Sequence, residues 1–140
     1  MRPLIVPELI CSDLDKSLAF YVGLLGFRIL YDRPEDRFAY LDRGGAELML
    51  EQPHAQDRLW PRAPLEPPFG RGMNLQIRVE DVEALYVKVL AAGLPIFLPL
   101  EDRWYRRDDA EIGVRQFVVQ DPDGYLIRLQ QRFATRSVQG

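Results

Sequence analysis

The feature that most narrows the folds open to this chain is a repeat in its order of elements. Aligning Asp13, Leu14 and Asp15 with Asp81, Val82 and Glu83 gives an offset of 68 residues, and the helix-stopping glycines Gly26 and Gly93 match within one residue of it. Around each anchor the pattern reads strand, helix, then three strands. A repeat of this length implies one supersecondary unit used twice, each copy burying its open face against the other. An unrelated α+β sandwich with the same element order is the competing reading. The 140 residues, 47% of them hydrophobic, suit one globular domain with a sizeable core. Within it we place a first βαβββ module at 3–52, a proline-rich linker at 53–71, a second module at 72–131 and a tail at 132–140.

In the first module the apolar run LIVPELI, residues 4 to 10, contains Pro7, which favours a sheet edge or the start of pairing. Ser12 followed by Asp15 has the form of a capping box, and Leu14, Leu18, Tyr21, Val22 and Leu25 recur at helical spacing before Gly26. The spacing predicts a helix over about 13–25. Three strands follow, FRILYDR, RFAYLDR and AELMLEQ, separated by Pro34, Glu35 and Asp36 and by Gly44 and Gly45. The second module opens with MNLQIRV as a strand of alternating faces and EDVEALYVKVLAAG as a helix. LPIFLPL then leads into RWYRRDDAE, read as a solvated charged loop. VRQFVVQ and YLIRLQQ are strands joined by Asp121, Pro122, Asp123 and Gly124, a turn with Pro at i+1 and Gly at i+3.

Composition excludes several classes of function. A formal net charge of -3 argues against nucleic acid as the main partner, because phosphate contacts need a clustered basic face. The N-terminal apolar run is broken by Glu8, Asp13 and Asp15, so neither a signal peptide nor a membrane span is predicted, and the expected location is the cytoplasm. The single cysteine, Cys11, reads as a small buried hydrophobe. The single histidine, His54, stands with Glu51 and Asp57 among prolines and reads as a solvated loop residue more readily than as a metal or acid-base centre. No glycine-rich phosphate loop, GxSxG or paired cysteines occur, so nucleophilic catalysis has no candidate.

SDLDKSLAFYVGLLGFRILY in the first half, with VEDVEALYVKVLAAG and QDPDGYLIRL in the second, resembles the vicinal-oxygen-chelate superfamily of glyoxalases, bleomycin-resistance proteins and ring-cleaving dioxygenases. The likeness covers residues 4 to 131. FAYLDRGGAELMLEQ and RQFVVQDPDGYLIRL look most like the bleomycin-resistance branch. The resemblance implies an α+β fold of two tandem βαβββ modules whose curved sheets form an open barrel around a cavity. It also implies homodimers with ligand sites in or beside the subunit interface.

Catalytic members of that superfamily hold a divalent metal with His and Glu side chains from the first and last strands of each module. Carried over by motif, those positions are Val6, a residue near Met49, Asn74 and Arg128. Valine and methionine are not hard-metal ligands, asparagine is a weak one, and arginine repels a cation. A two-residue register shift keeps the same face inward and substitutes Glu8, Glu51 or Glu47, Gln76 and Gln130, still without an imidazole. The expectation is therefore no cofactor and no catalytic residue, with a weak oxygen-ligated divalent metal as the lesser possibility.

A binding cavity needs apolar walls, planar surfaces for stacking and a few placed polar groups. Phe38 and Tyr40 share a sheet face, as core or as ligand wall. Trp60 in the linker, and Trp104 with Tyr105 after the sixth strand, must cover something: core, subunit partner or ligand. Glu51 and Gln76 are candidate polar groups, whereas Arg115 and Arg128, if inward, favour an anionic group or need acidic partners. For a bleomycin-like ligand with a cationic tail the candidate acids are Glu35, Asp36, Glu47, Glu51, Asp57 and Glu66. The leading expectation is a small-molecule-binding protein of bleomycin-resistance type that sequesters such an antibiotic without turnover. The alternatives are a metal-dependent glyoxalase-like lyase or isomerase, or a dioxygenase, using Glu8, Glu51 and Gln76, and a metabolite sensor or carrier.

Overall fold

The computed structural model describes residues 3–54 and 65–138. The chain divides into two compact units, Met1–Phe69 and Gly70–Gly140, and the boundary falls inside the proline-rich stretch. In the first unit β1 (Glu8–Ile10) is followed by α1 (Leu14–Leu18), β2 (Arg28–Arg33), β3 (Phe38–Arg43) and β4 (Ala46–Glu51). The sheet order is β1-β4-β3-β2, with β1 parallel to β4 and the remaining pairs antiparallel. The second unit repeats this with β5 (Asn74–Arg78), α2 (Val82–Ala91), β6 (Ile96–Arg107), β7 (Ala110–Gln120) and β8 (Leu126–Ser137). Its order is β5-β8-β7-β6, again with only the first and last strands parallel. The expected α+β class and the doubled βαβββ order are both present, in two curved, unclosed mixed sheets.

Each helix begins by the same device. Asp13 and Asp81 are the N-caps, accepting from the Lys16 and Ala84 amides at 3.2 and 3.0 Å. An oxygen there satisfies one of the amides that a helix start leaves unpaired. A second such amide is met from far along the chain. Gln52 Oε1 accepts from Leu14 N at 2.8 Å, and Gln131 Oε1 accepts from Val82 N at 3.0 Å. The cap is thus Asp13, not Ser12, and the capping box read from sequence is not the one used.

The face of each sheet nearer its helix forms the core: Leu41, Leu48 and Leu50 in the first unit, Phe117, Ile127 and Leu129 in the second are all buried. Burying a side chain of this size contributes roughly 1.5–3 kcal/mol. Cys11 is buried, as expected of a small hydrophobe.

Several elements differ from the sequence reading. The first helix is α-helical only to Leu18 and then widens into a π-helical turn over Ala19–Leu24, with Leu25 N bonded to Phe20 O at 2.9 Å. The wider turn accompanies an aromatic cluster in which Tyr21 meets Phe20 and Phe27 edge-on at 4.8 and 5.8 Å. Of the 4–10 run only Glu8–Ile10 is strand, with Pro7 O accepting from Met49 N at 2.8 Å just before it, and Leu4 and Ile5 stand exposed. RWYRRDDAE is not a loop: it is the end of β6, a two-residue turn with Asp108 in the left-handed region, and the start of β7. Residues 132–137, assigned to a tail, are strand, because β8 extends to pair with the lengthened β7. Pro99 is tolerated inside β6 because that strand lies at a sheet edge and is bulged on both sides of Leu98. The Asp121 to Gly124 turn forms as read, with Gly124 N bonded to Asp121 O at 3.0 Å.

Candidate ligand-binding site

In the second unit Tyr86 of α2 packs on Phe117 at 5.0 Å, which fixes the helix side of the sheet. Side chains alternate along a strand, so the neighbouring even-numbered positions of β5, β7 and β8 look the other way. There two open hollows of about 400 and 350 Å³ lie side by side, and both are lined by Tyr105 and Arg128. Gln76 and Gln130 line the first, Gln116 and Val118 the second.

The amides on this face are joined in one direction. Gln76 Nε2 donates to Gln130 Oε1 at 2.8 Å, and Gln130 Nε2 donates to Gln116 Oε1 at 3.2 Å. Gln116 Nε2 then donates to the Tyr105 hydroxyl oxygen at 2.8 Å and to Glu101 Oε1 at 3.2 Å. Each amide therefore holds its neighbour's rotamer, and such satisfied chains give a surface a fixed donor and acceptor pattern. Gln116 is only 2% exposed, a buried polar side chain between Val114 and Val118 on the same face of β7.

The charge on this face is one-sided. The hollows are lined by Arg103, Arg106, Arg107, Arg128 and Arg132, against Glu101 as the sole carboxylate. Among the described residues none of these arginines has an ion-pair partner; the ion pairs use Arg28, Arg33, Arg115 and Arg136 instead. Arg128 Nε is buried without a hydrogen-bond partner.

The first unit carries different chemistry on its corresponding face. Matching Gln52 to Gln131 through their identical helix contacts makes Glu51 the counterpart of Gln130, and Met49 the counterpart of Arg128. The parallel pairs Glu8 with Met49 and Gln76 with Arg128 extend the match to Glu8 and Gln76. Phe38 lies opposite Glu51 and Tyr40 opposite Met49, so the predicted shared face of Phe38 and Tyr40 includes a carboxylate. Tyr31 stacks on Tyr40 at 5.1 Å, and the Arg33 guanidinium lies 4.0 Å above the Phe38 ring.

The sequence-predicted site residues are thus partly gathered. Gln76, Tyr105 and Arg128 meet on the second sheet, and Phe38, Tyr40 and Glu51 share a face of the first. Trp104 and Arg115 do not join Tyr105, because once residues 96–107 are strand, adjacent side chains point apart. Trp104 instead meets Phe133 edge-on at 5.5 Å and lies 3.8 Å under the Arg136 guanidinium. Arg115 is held by Asp102, at 2.7 and 3.1 Å, and by Glu83 of α2. That hydrogen bonding holds the Asp102 carboxyl below its usual range and raises Arg115 above its own. Trp60 and Asp57 lie outside the described residues. Glu35 and Asp36 sit in a short 3₁₀ turn, where Asp36 pairs with Arg33, and Glu66 is exposed; His54 is half-buried just beyond β4. Gln116, Arg107 and Arg132 were missed.

The donor set on these faces does not fit the divalent metal that the resemblance implies at some members' centres. Arg128 is a fixed cation, and the amides of Gln76 and Gln130 are turned to each other. Among the described residues no three His, Cys, Asp or Glu side chains gather as a metal site.

The glyoxalase/bleomycin resistance protein/dioxygenase superfamily model matches residues 4–129. A bleomycin resistance protein of Geobacillus stearothermophilus is 29% identical over 136 residues, covering 91% of this chain and 95% of its own length. The crystal structure of TioX from Micromonospora sp. ML1 superposes with a TM-score of 0.67 at 27% identity, over 94% of this chain and 98% of that one. Lactoylglutathione lyase from Agrobacterium tumefaciens, 20% identical with a TM-score of 0.58 over 91% of this chain and 92% of its own, shares the fold. With the doubled βαβββ order, these matches place the chain in the glyoxalase/bleomycin resistance protein/dioxygenase superfamily, to which it belongs.

Proposed function

We propose that this chain binds and sequesters a small organic molecule by stoichiometric, metal-free contact and does not turn it over, a bleomycin-like antibiotic being the guest that its relatives' names point to. The observation that carries this reading is the amide chain from Gln76 through Gln130 and Gln116 to Tyr105, with Arg128 beside it, on the face where a catalytic relative would present metal ligands. A fixed hydrogen-bonding pattern between apolar residues such as Val118 and Ile112 suits recognition of a guest. The aromatic and acidic face of the first unit, with Phe38, Tyr40 and Glu51, supports the same reading for a guest with a planar, cationic part. The active assembly in this proposal is a homodimer acting in the cytoplasm; among the described residues no helix is long and apolar enough to cross a membrane.

Calorimetry with bleomycin, before and after extensive chelation, tests the proposal together with metal analysis. The expected outcome is saturable binding unchanged by chelator, with the antibiotic recovered intact. Stoichiometric bound metal that sustains turnover, with no affinity for the antibiotic, defeats it.

A further inference from the structure

We infer that the hollow of the second unit receives an oxyanion, a carboxylate or phosphonate group on the guest, with Arg128 as the anchoring cation and the Tyr105 hydroxyl as a second donor. This rests on the reading that the chain binds a small molecule and narrows which molecules fit. A wholly cationic guest would leave this face unused.

Three observations point the same way. First, Arg128 lines both hollows and its buried Nε–H has no partner. A donor removed from water and left unmatched is costly, and a guanidinium fork is shaped for planar or tetrahedral oxyanions. Second, the surrounding charge comes from Arg103, Arg106, Arg107 and Arg132, while Glu101, the one lining carboxylate, accepts from Gln116. Clefts lined by one sign of charge concentrate ligands of the other. Third, Tyr105 accepts from Gln116 through its oxygen, and its own hydrogen has no acceptor among the described residues. That hydrogen and the Arg128 guanidinium are the donors common to both hollows. The matched position in the first unit, Met49, shows that the scaffold does not itself require arginine at this register.

Two-dimensional NMR of the full chain, titrated with benzoate, phenylphosphonate, benzamide and benzamidine, tests the inference. Benzoate and phenylphosphonate should shift the Arg128 Nε–H and the Gln76 and Gln130 side-chain amides at the same concentration, and whichever binds more tightly identifies the head group. Benzamide and benzamidine should bind at least ten-fold more weakly. Arg128→Met should abolish oxyanion binding, and Arg136→Gln, outside the hollows, should preserve it; circular dichroism and the melting temperature verify that both variants fold. Equal affinity for benzoate and benzamide, or undiminished benzoate binding by a folded Arg128→Met, overturns the inference. Bleomycin held equally well by the wild type and Arg128→Met, without oxyanion selectivity, overturns it while leaving the binding proposal intact. Chelator-sensitive turnover overturns the binding proposal instead.

Discussion

The Tyr105 hydroxyl oxygen lies 2.8 Å from Gln116 Nε2 and accepts its hydrogen bond, ending a chain of amides that starts on β5. Removing the hydroxyl in Tyr105→Phe leaves Gln116 with Glu101 alone as acceptor. The expected loss is about 1 kcal/mol of folding stability in urea titration, the worth of one ordinary hydrogen bond. Gln116→Leu goes further, because Gln130 Nε2 then faces a methyl group. We expect a loss of about 1–3 kcal/mol, with weaker benzoate binding. If both variants match the wild type in stability, the amide chain is not a structural unit.

Gly70 adopts φ +70, and a Cβ built there would stand 2.5 Å from Cδ1 and 2.8 Å from Cε1 of the Tyr125 ring. Tyr125 is anchored through its own amide, which donates to Asp121 Oδ1 at 2.9 Å. Gly70→Ala therefore combines left-handed strain with a clash against a held ring, at a cost of roughly 2–4 kcal/mol. Gly72, at φ +83 with nothing within 4 Å of its added Cβ, is the control. Gly72→Ala should lose about 1–2 kcal/mol, the conformational strain alone. Melting temperatures of the pair in parallel check the difference.

A similar contrast applies at Gly113, opposite Trp104, where an added Cβ would lie 3.0 Å from both the Trp104 and Phe133 rings. Gly113→Ala should push those rings apart. The expected signs are altered near-ultraviolet circular dichroism from Trp104 and a loss of about 1–3 kcal/mol. Benzoate binding should stay near its wild-type value, since Trp104 faces away from the hollows.

The acid limb of stability should carry the mark of Asp102. Hydrogen bonding by Arg115 lowers its folded-state pKa, so in acid the unfolded chain binds a proton more readily than the folded one. Its stabilising contribution is thus complete above the ordinary carboxylate range and is lost as pH falls through the lowered value. Asp102→Asn should flatten the decline in unfolding midpoint between about pH 5 and 2 and leave the pH dependence near neutrality unchanged. An identical acid limb in wild type and variant would contradict this assignment.

Most of the fold could be read from local pattern. Helical spacing after Asp13 and Asp81, together with Gly26 and Gly93, marks both helices, and the repeat ties the strands around them into one topology. The β6–β7 hairpin tip escaped because six of the nine residues from Arg103 to Glu111 are charged, which the edge strand β6 tolerates, and only pairing across the turn makes it sheet. That error had a direct effect on the site. Treated as a loop, Trp104 and Tyr105 were grouped together; treated as strand, they part to opposite faces. Arg128 and Gln76 line the same hollow, as the clean alternation of their strands leads one to expect. Gln116 was missed although its signal is present, an amide between Val114 and Val118 on the face that the period assigns to the cavity.

The long reach of Gln52 and Gln131 bears on how the chain acquires its shape. Each helix start depends on a residue 38 or 49 positions later, which arrives only when the final strand of its unit has been laid beside the first. During synthesis the helix can form early but stays incompletely capped until that strand emerges, so each half should mature in one late, non-local step. A ribosome paused before β8 would hold a nascent second half whose helix has an Asp81 cap and no Gln131 clamp.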